Sequence, residues 1–141
     1  MSSNDQRRFP PVGASTSFSK TVAESDVYQF AGITGDFAPQ HVNEQYMAAH
    51  PYGKRVAHGV LILGLASTAS SLLAEKYGLK VVSYGYDRLR FVRPVFIGDT
   101  VTVNYTVHRV DEENRRSYEK VEAVRTDGQV CMAAEHILYY V

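Results

Sequence analysis

The sequence GVLILGLASTASSLLAEKY, residues 59–77, decides the fold. Small and apolar residues would occupy nearly every side of a helix formed by this stretch, which is typical of a helix buried on most sides. Such a helix would extend for roughly 18 residues, or about 27 Å at 1.5 Å per residue. We expect it to end near Gly78, because glycine is the favoured residue just past a helix end.

The chain changes its hydrophobic period after this helix. Segments rich in Val, Tyr, Phe and Thr follow, and one of them alternates apolar with polar residues as a half-buried strand does. The predicted strands are Val81–Val92, Thr100–Val110, Ser117–Arg125 and Val130–Tyr140, with turns between them. One long helix followed by an antiparallel meander predicts an α+β fold whose sheet wraps around the helix.

Length and composition bound the possibilities further. A chain of 141 residues has the size of one domain, which we place at residues 14–141, after a flexible polar arm at residues 1–13. Equal numbers of basic and acidic residues, 15 of each, leave no global field to attract nucleic acid or an anionic membrane. The single Cys131 lies in an alternating apolar run and is expected to be a buried packing residue.

Neither the N-terminus nor the longest apolar segment of the chain is typical of a membrane protein. The polar N-terminus does not resemble a signal peptide, and the apolar segment Val60–Leu73 is short and serine-rich for a bilayer span. We therefore expect a soluble, cytoplasmic protein without nucleic-acid or membrane partners.

Two shorter helices are predicted before the long one, with a polar loop between them. Ser25 is a candidate N-cap for a helix that ends at Gly35, and Asn43 is a candidate N-cap for a second helix through Ala49. Pro39 disfavours helical backbone at the residue before it, so the loop between the helices should be a constrained turn.

That loop carries residues that could take part in acid–base chemistry. It reads GDFAPQH at residues 35–41, and VAHGVL at residues 56–61 leads into the long helix. Asp36 and His41 are groups that transfer protons, while the amide of Gly59 lies at a helix N-terminus that can bind an oxyanion. Glycine at this position lets a ligand approach the backbone closely.

Together with the stretch FVRPVFIGDT at residues 91–100, these motifs resemble the MaoC-like (R)-specific enoyl-CoA hydratase/dehydratase family, which has the hot-dog fold. The resemblance implies that Asp36 and His41 activate water and that the Gly59 amide polarises a thioester carbonyl. It also places Ser67 in the substrate site. His58 is either a further substrate contact or a structural partner of Asp36, and we favour the structural role.

The resemblance also implies an acyl-CoA or acyl-carrier-protein thioester as substrate, no cofactor and a homodimer. A dimer is expected on physical grounds as well, because a few strands around one helix leave an open sheet edge and apolar surface. Basic side chains that could contact the phosphates of CoA, or simply be solvated, are Lys54, Arg55, Arg88, Arg90 and Arg93.

One position departs from the family motif, and other interpretations stay open. The family has Asn where this chain has Ala38, so Asn43 or a water would replace that amide, or the substrate differs. An acyl-CoA thioesterase would use the same residues, and a non-catalytic thioester-binding subunit would share the fold. A metal site of His41, His50 and His58 matches no helical zinc motif, so we expect no metal.

Overall fold

The computed structural model describes residues 8–141. Within these residues the secondary-structure elements are, in chain order, β1 (Ser15–Thr21), α1 (Glu24–Thr34), α2 (Pro39–Val42), α3 (Glu44–Ala48), α4 (Gly59–Tyr77), β2 (Val81–Phe91), β3 (Thr100–Asp111), β4 (Arg116–Arg125) and β5 (Val130–Tyr140). The long helix and the four strands after it agree with the predicted elements to within a residue at each end.

The strands form one antiparallel sheet in the order β1-β3-β4-β5-β2. β3, β4 and β5 are joined by short turns and lie side by side, whereas β1 and β2 form the two edges. The alternation predicted for β3 is present, because Val101, Val103 and Tyr105 are fully buried. The predicted α+β fold is therefore confirmed.

Helix α4 packs on the inner face of this sheet and supplies the centre of the core. Its buried residues are Ile62, Leu65, Ala66, Ala69, Ser70 and Leu73. Gly78 ends the helix in the left-handed conformation, with φ of 63°, as the sequence predicts. The helix is long and apolar enough to cross a membrane, with a mean hydropathy of 1.2, although here it serves as the core helix of the fold.

Of the two helix N-caps predicted before α4, one is wrong and one is correct, and a further short helix, α2, forms inside the predicted loop. Ser25 is not the N-cap of α1, because the helix starts one residue before it and Ala23 occupies the cap position. The Asp26 carboxylate accepts a hydrogen bond from the Ala23 N–H at 2.8 Å and so caps the chain from inside the first turn. Asn43 does cap α3, since its Oδ1 accepts from the Tyr46 N–H at 2.9 Å.

The predicted N-terminal arm is only partly covered, because residues 1–7 lie outside the described residues. In the remainder, the Phe9 ring packs against the Tyr140 ring with 4.5 Å between centroids. The Gly13 N–H also donates to the Val107 carbonyl at 2.8 Å, so this part of the segment is attached to the sheet. Cys131 is buried as predicted and carries a free thiol.

Candidate active site

The loop after α1 holds Asp36 at the surface of the protein. Gly35 ends α1 in the left-handed region, with φ of 82°, and turns the chain away from the helix axis. The Asp36 carboxylate then accepts a hydrogen bond from the Ala38 N–H at 3.2 Å. About half of the side chain, 54%, remains exposed, so the carboxylate is accessible to water.

His41 lies on α2 with its ring buried and held by the next loop. Its Nδ1 is 2.7 Å from the carbonyl oxygen of Val56, and a carbonyl can only accept, so Nδ1 carries the proton. In the neutral ring this leaves the lone pair on Nε2, which lies 3.8 Å from Oδ2 of Asp36. Since that gap is longer than a direct hydrogen bond, a water could bind both groups.

His58 contacts both His41 and the backbone of Asp36. Its ring stacks on the His41 ring with centroids 3.7 Å apart and planes 23° from parallel. Its Nε2 donates to the backbone oxygen of Asp36 at 2.9 Å, while Nδ1 is buried without a hydrogen-bond partner among the described residues. Because His58 contacts the backbone of Asp36 and not its carboxylate, the geometry favours the structural role over a substrate contact.

Gly59 is the first residue of α4, where helical amides have no partner within the helix. A Cβ added to Gly59 would lie 2.9 Å from the Phe91 ring, so the packing of this ring already requires glycine. Gly59 and His41 line one cavity of about 230 Å³, together with Gln40, Arg93 and several apolar side chains. A helix N-terminus and a histidine with an unprotonated Nε2 therefore line the same cavity.

Ser67 lies outside this cavity. It follows Gly59 by eight residues, or about 12 Å along the helix, and lines a second cavity with Ser70, Ser83 and His136. The structure thus brings Asp36, His41 and His58 together, places Gly59 in one cavity with His41, and holds Ser67 apart from them.

The histidines do not form the trio considered from the sequence. Nδ1 of His50 accepts from the Tyr52 N–H at 3.1 Å, outside the site. Ligand atoms of Asp36, His41 and His58 do lie within 4.8 Å of one another, which is close enough to consider a metal. However, the stacked rings direct their nitrogen lone pairs into two nearly parallel planes, whereas zinc ligands converge on one point.

The basic candidates have different surroundings. Arg55 is bound to Glu24 at 2.7 Å, and this hydrogen bond raises the pKa of the guanidinium. Arg88 and Arg90 line a groove on the outer face of the sheet, and Lys54 lies over the Phe96 ring. Arg93 alone among the five lines the cavity of His41 and Gly59.

Sequence reasoning missed three contributors to this site. The Val56 carbonyl accepts a hydrogen bond from His41 and so orients its ring. The amide nitrogen of Gln40 lies 3.5 Å from Nε2 of His41. The Phe91 ring packs against Gly59. Phe91 belongs to a stretch that the sequence had singled out, whereas nothing local distinguishes the carbonyl of Val56 from any other.

Residues 10–129 match the model of the MaoC like domain. The chain belongs to this family. Among curated proteins, it is 42% identical over 95 residues to an (R)-specific enoyl-CoA hydratase of Rhodospirillum rubrum, a match that covers 67% of this chain and 64% of that protein. It is 38% identical to a 3-hydroxybutyryl-CoA dehydratase of Methylorubrum extorquens over 75% of this chain and 66% of the relative. The chain therefore spans slightly less than two thirds of each relative.

Solved structures of MaoC-like relatives agree with the fold. An R-hydratase of Pseudomonas aeruginosa superposes with a TM-score of 0.83 at 28% identity, covering 93% of this chain and 82% of that one. The (R)-hydratase of Aeromonas caviae gives 0.82 at 27% identity, covering 94% and 98%. The predicted hot-dog fold is confirmed by these neighbours and by the sheet around α4.

Proposed function

We propose that this MaoC-like protein catalyses the reversible hydration of a trans-2-enoyl-CoA to the (R)-3-hydroxyacyl-CoA. The observation that carries the proposal is the hydrogen bond from His41 to the Val56 carbonyl, which leaves Nε2 of His41 unprotonated beside the Asp36 carboxylate. The names of the two curated relatives support the same reaction class, that of hydro-lyases.

Each group has a role in the proposed reaction. A water held between Asp36 and His41 loses a proton to this pair as its oxygen bonds to the β-carbon. The electrons of the double bond move toward the thioester, and the Gly59 amide stabilises the negative charge on the carbonyl oxygen. The pair then returns the proton to the α-carbon, so the elements of one water are added and nothing leaves.

The absence of the family's Asn does not remove any of these groups. Ala38 donates its N–H to Asp36 at 3.2 Å and so helps to orient the loop through the backbone. Asn43 is engaged at the start of α3 and is not the replacement considered from the sequence. A water in the loop remains the proposed substitute.

The test is an assay with short and medium trans-2-enoyl-CoA thioesters. Loss of the conjugated ultraviolet absorbance is followed while free thiol is titrated in parallel. We expect absorbance loss without thiol release, and chiral analysis should give the (R)-3-hydroxyacyl product. Thiol release would instead assign a thioesterase, and binding without either signal would assign a non-catalytic thioester-binding subunit.

We also propose a homodimer. The edge strand β2 exposes Val82, Tyr84 and Phe91, and the neighbouring helix α4 exposes Leu72. An edge strand with apolar side chains of this kind favours pairing with a second copy. Sedimentation at micromolar concentration should give about twice the chain mass, and a monomer there would contradict the proposal.

A further inference from the structure

The loop site differs from the polar side chains of the core in how far its hydrogen bonding is complete. The core contains a buried polar group, made up of Tyr105, Ser117, Glu119 and His136. There, both ring nitrogens of His136 lie 2.7 Å from a hydroxyl oxygen, that of Tyr105 or that of Ser83. At the loop site, by contrast, Nε2 of His41 has two polar side-chain neighbours, and both are farther away than in a normal hydrogen bond.

These two neighbours are Asp36 and Gln40. Oδ2 of the Asp36 carboxylate lies 3.8 Å from Nε2 of His41, and the Gln40 amide nitrogen lies 3.5 Å from the same atom. Protein hydrogen bonds of an N–H group are usually about 2.7–3.2 Å long. A water about 2.8 Å from Nε2 can therefore also come within hydrogen-bond distance of either neighbour.

The backbone of Val56 fixes the position of both Gln40 and His41. The Val56 N–H donates to the Gln40 carbonyl at 3.0 Å, and the Val56 carbonyl accepts from Nδ1 of His41 at 2.7 Å. Two consecutive residues of α2 are thus bonded to the two polar backbone groups of one residue. The side chains of both also line the cavity that contains Gly59. The Gln40 amide is therefore held on the catalytic side of the loop.

The end of the Gln40 amide that faces His41 is its NH₂ group. Because Nδ1 of His41 carries the proton, Nε2 presents a lone pair and can only accept. The amide nitrogen donates toward this lone pair, whereas the amide oxygen in the same place would repel it. Among the described residues that line the cavity, Gln40 alone has a side-chain amide. The site thus combines two acceptors, Asp36 and His41, with one uncharged donor.

This set of groups matches the hydrogen-bonding capacity of a water that is about to react. A water has two O–H donors, and the two acceptors available to them are the Asp36 carboxylate and Nε2 of His41. Of its two lone pairs, one can accept from the Gln40 N–H, and the other remains for the β-carbon of an enoyl thioester. Three protein contacts would therefore set the direction of the attacking lone pair, which is the positioning that such a step requires.

We infer that Gln40 is a catalytic residue that binds the attacking water through its side-chain N–H. The inference rests on the proposed function, since this water is the second substrate of the hydration. Gln40 itself neither gains nor loses a proton, because the water gives its proton to the pair of Asp36 and His41 as its oxygen bonds to the β-carbon. In the reverse direction, the same N–H donates to the hydroxyl oxygen as it leaves and gains negative charge.

The experiment replaces Gln40 with methionine, which has a similar length but no amide. Loss of one hydrogen bond to the reacting water should lower kcat about three- to tenfold. KM should change by less than about twofold, because Gln40 contacts the water and not the thioester. Gln40→Glu keeps the shape but has no N–H, so its kcat should fall at least as far. The matched control Gln45→Met, on the exposed surface of α3, should keep the wild-type kcat.

The outcomes separate this inference from the proposed function. If the wild type hydrates an enoyl-CoA and Gln40→Met has the same kcat, the inference is overturned and the function stands. Full activity of Gln40→Glu would also overturn it, because a carboxylate cannot donate. If the wild type hydrates no enoyl-CoA, the function fails, and the ¹⁵N resonance of Nε2 in His41 decides whether Gln40 donates at this site. A change in Gln40→Met that is absent in Gln45→Met would support the donor, and an unchanged resonance would overturn it.

Discussion

The loop site and the buried polar group differ in how they are assembled. Asp36 and His41 are five residues apart and meet because one constrained loop joins them. Glu119 and His136 are 17 residues apart and are register partners on neighbouring strands, β4 and β5. A catalytic motif can thus be local in sequence, whereas a polar network in the core depends on the alignment of whole strands.

The two regions also differ in their access to water. The Asp36 side chain is 54% exposed, so it can bind and activate a water. Glu119 is fully buried, and this burial raises the pKa of its carboxyl to about 7. The proposed proton transfer therefore belongs to the first region, whereas the second region bears on the stability of the core.

The largest expected effect comes from Asp36→Asn. It removes the carboxylate from the proposed water-activating pair without changing its size, so kcat should fall by about 10²–10⁴-fold. Calorimetry with a saturated acyl-CoA should show retained binding. The matched change in the buried group, Glu119→Gln, should lower kcat far less. Equal losses of kcat in both variants would show that the two regions do not differ in their importance for catalysis.

Gly59→Ala tests the helix start. The new methyl group would meet the Phe91 ring at 2.9 Å, and displacement of one oxyanion donor costs about 10²–10³-fold in kcat. The double variant Gly59→Ala/Phe91→Ala tests whether glycine is needed at position 59 for packing against Phe91 or for close approach of the thioester. Recovery of kcat in the double variant would assign the glycine to packing, and continued loss would assign it to close approach of the thioester.

Glu119→Gln should change how stability depends on pH. The folded protein keeps a proton on Glu119 up to about pH 7, while the unfolded chain releases it near 4.5. The stability from this proton is complete below pH 4.5 and is lost as the pH rises to about 7. Relative to Glu119→Gln, the wild-type free energy of unfolding should therefore increase by about 3 kcal/mol from pH 7.5 to pH 4.5.

Urea denaturation of both proteins at the two pH values measures this difference. His136, whose pKa is lowered to about 4 by burial, is present in both proteins, so its own contribution cancels. A difference in stability that stays constant with pH would show that Glu119 does not hold a proton in the core.

The smallest effect is expected from Asn43→Ala. Loss of the side-chain cap on the Tyr46 amide should destabilise the protein by about 1 kcal/mol, measured by thermal unfolding. Turnover of an enoyl thioester should not change. A large loss of turnover at unchanged stability would instead return Asn43 to the role of the missing motif amide.

Most of the architecture could be predicted because its signals are local. The all-round apolar character of residues 59–77 and the alternation in β3 reflect the helical and strand periods, so both were assigned correctly. The cap of α1 was missed, because Asp26 and Ser25 are both good cap residues and only backbone geometry chooses between them. Tyr84 and Phe91 lie in a strand rich in aromatic and β-branched residues, yet both are exposed, since β2 is an edge strand.

The sequence by itself determined the long helix, the meander after it and the chemical identities of Asp36, His41 and Gly59. Tertiary structure decided which nitrogen of His41 carries the proton, because the Val56 carbonyl that accepts it lies 15 residues away. It also placed Phe91 over Gly59 and linked Tyr105 to His136. The physical reason is that periodicity and turn chemistry act over a few residues, whereas these contacts depend on strand register and on the packing of the whole sheet around α4.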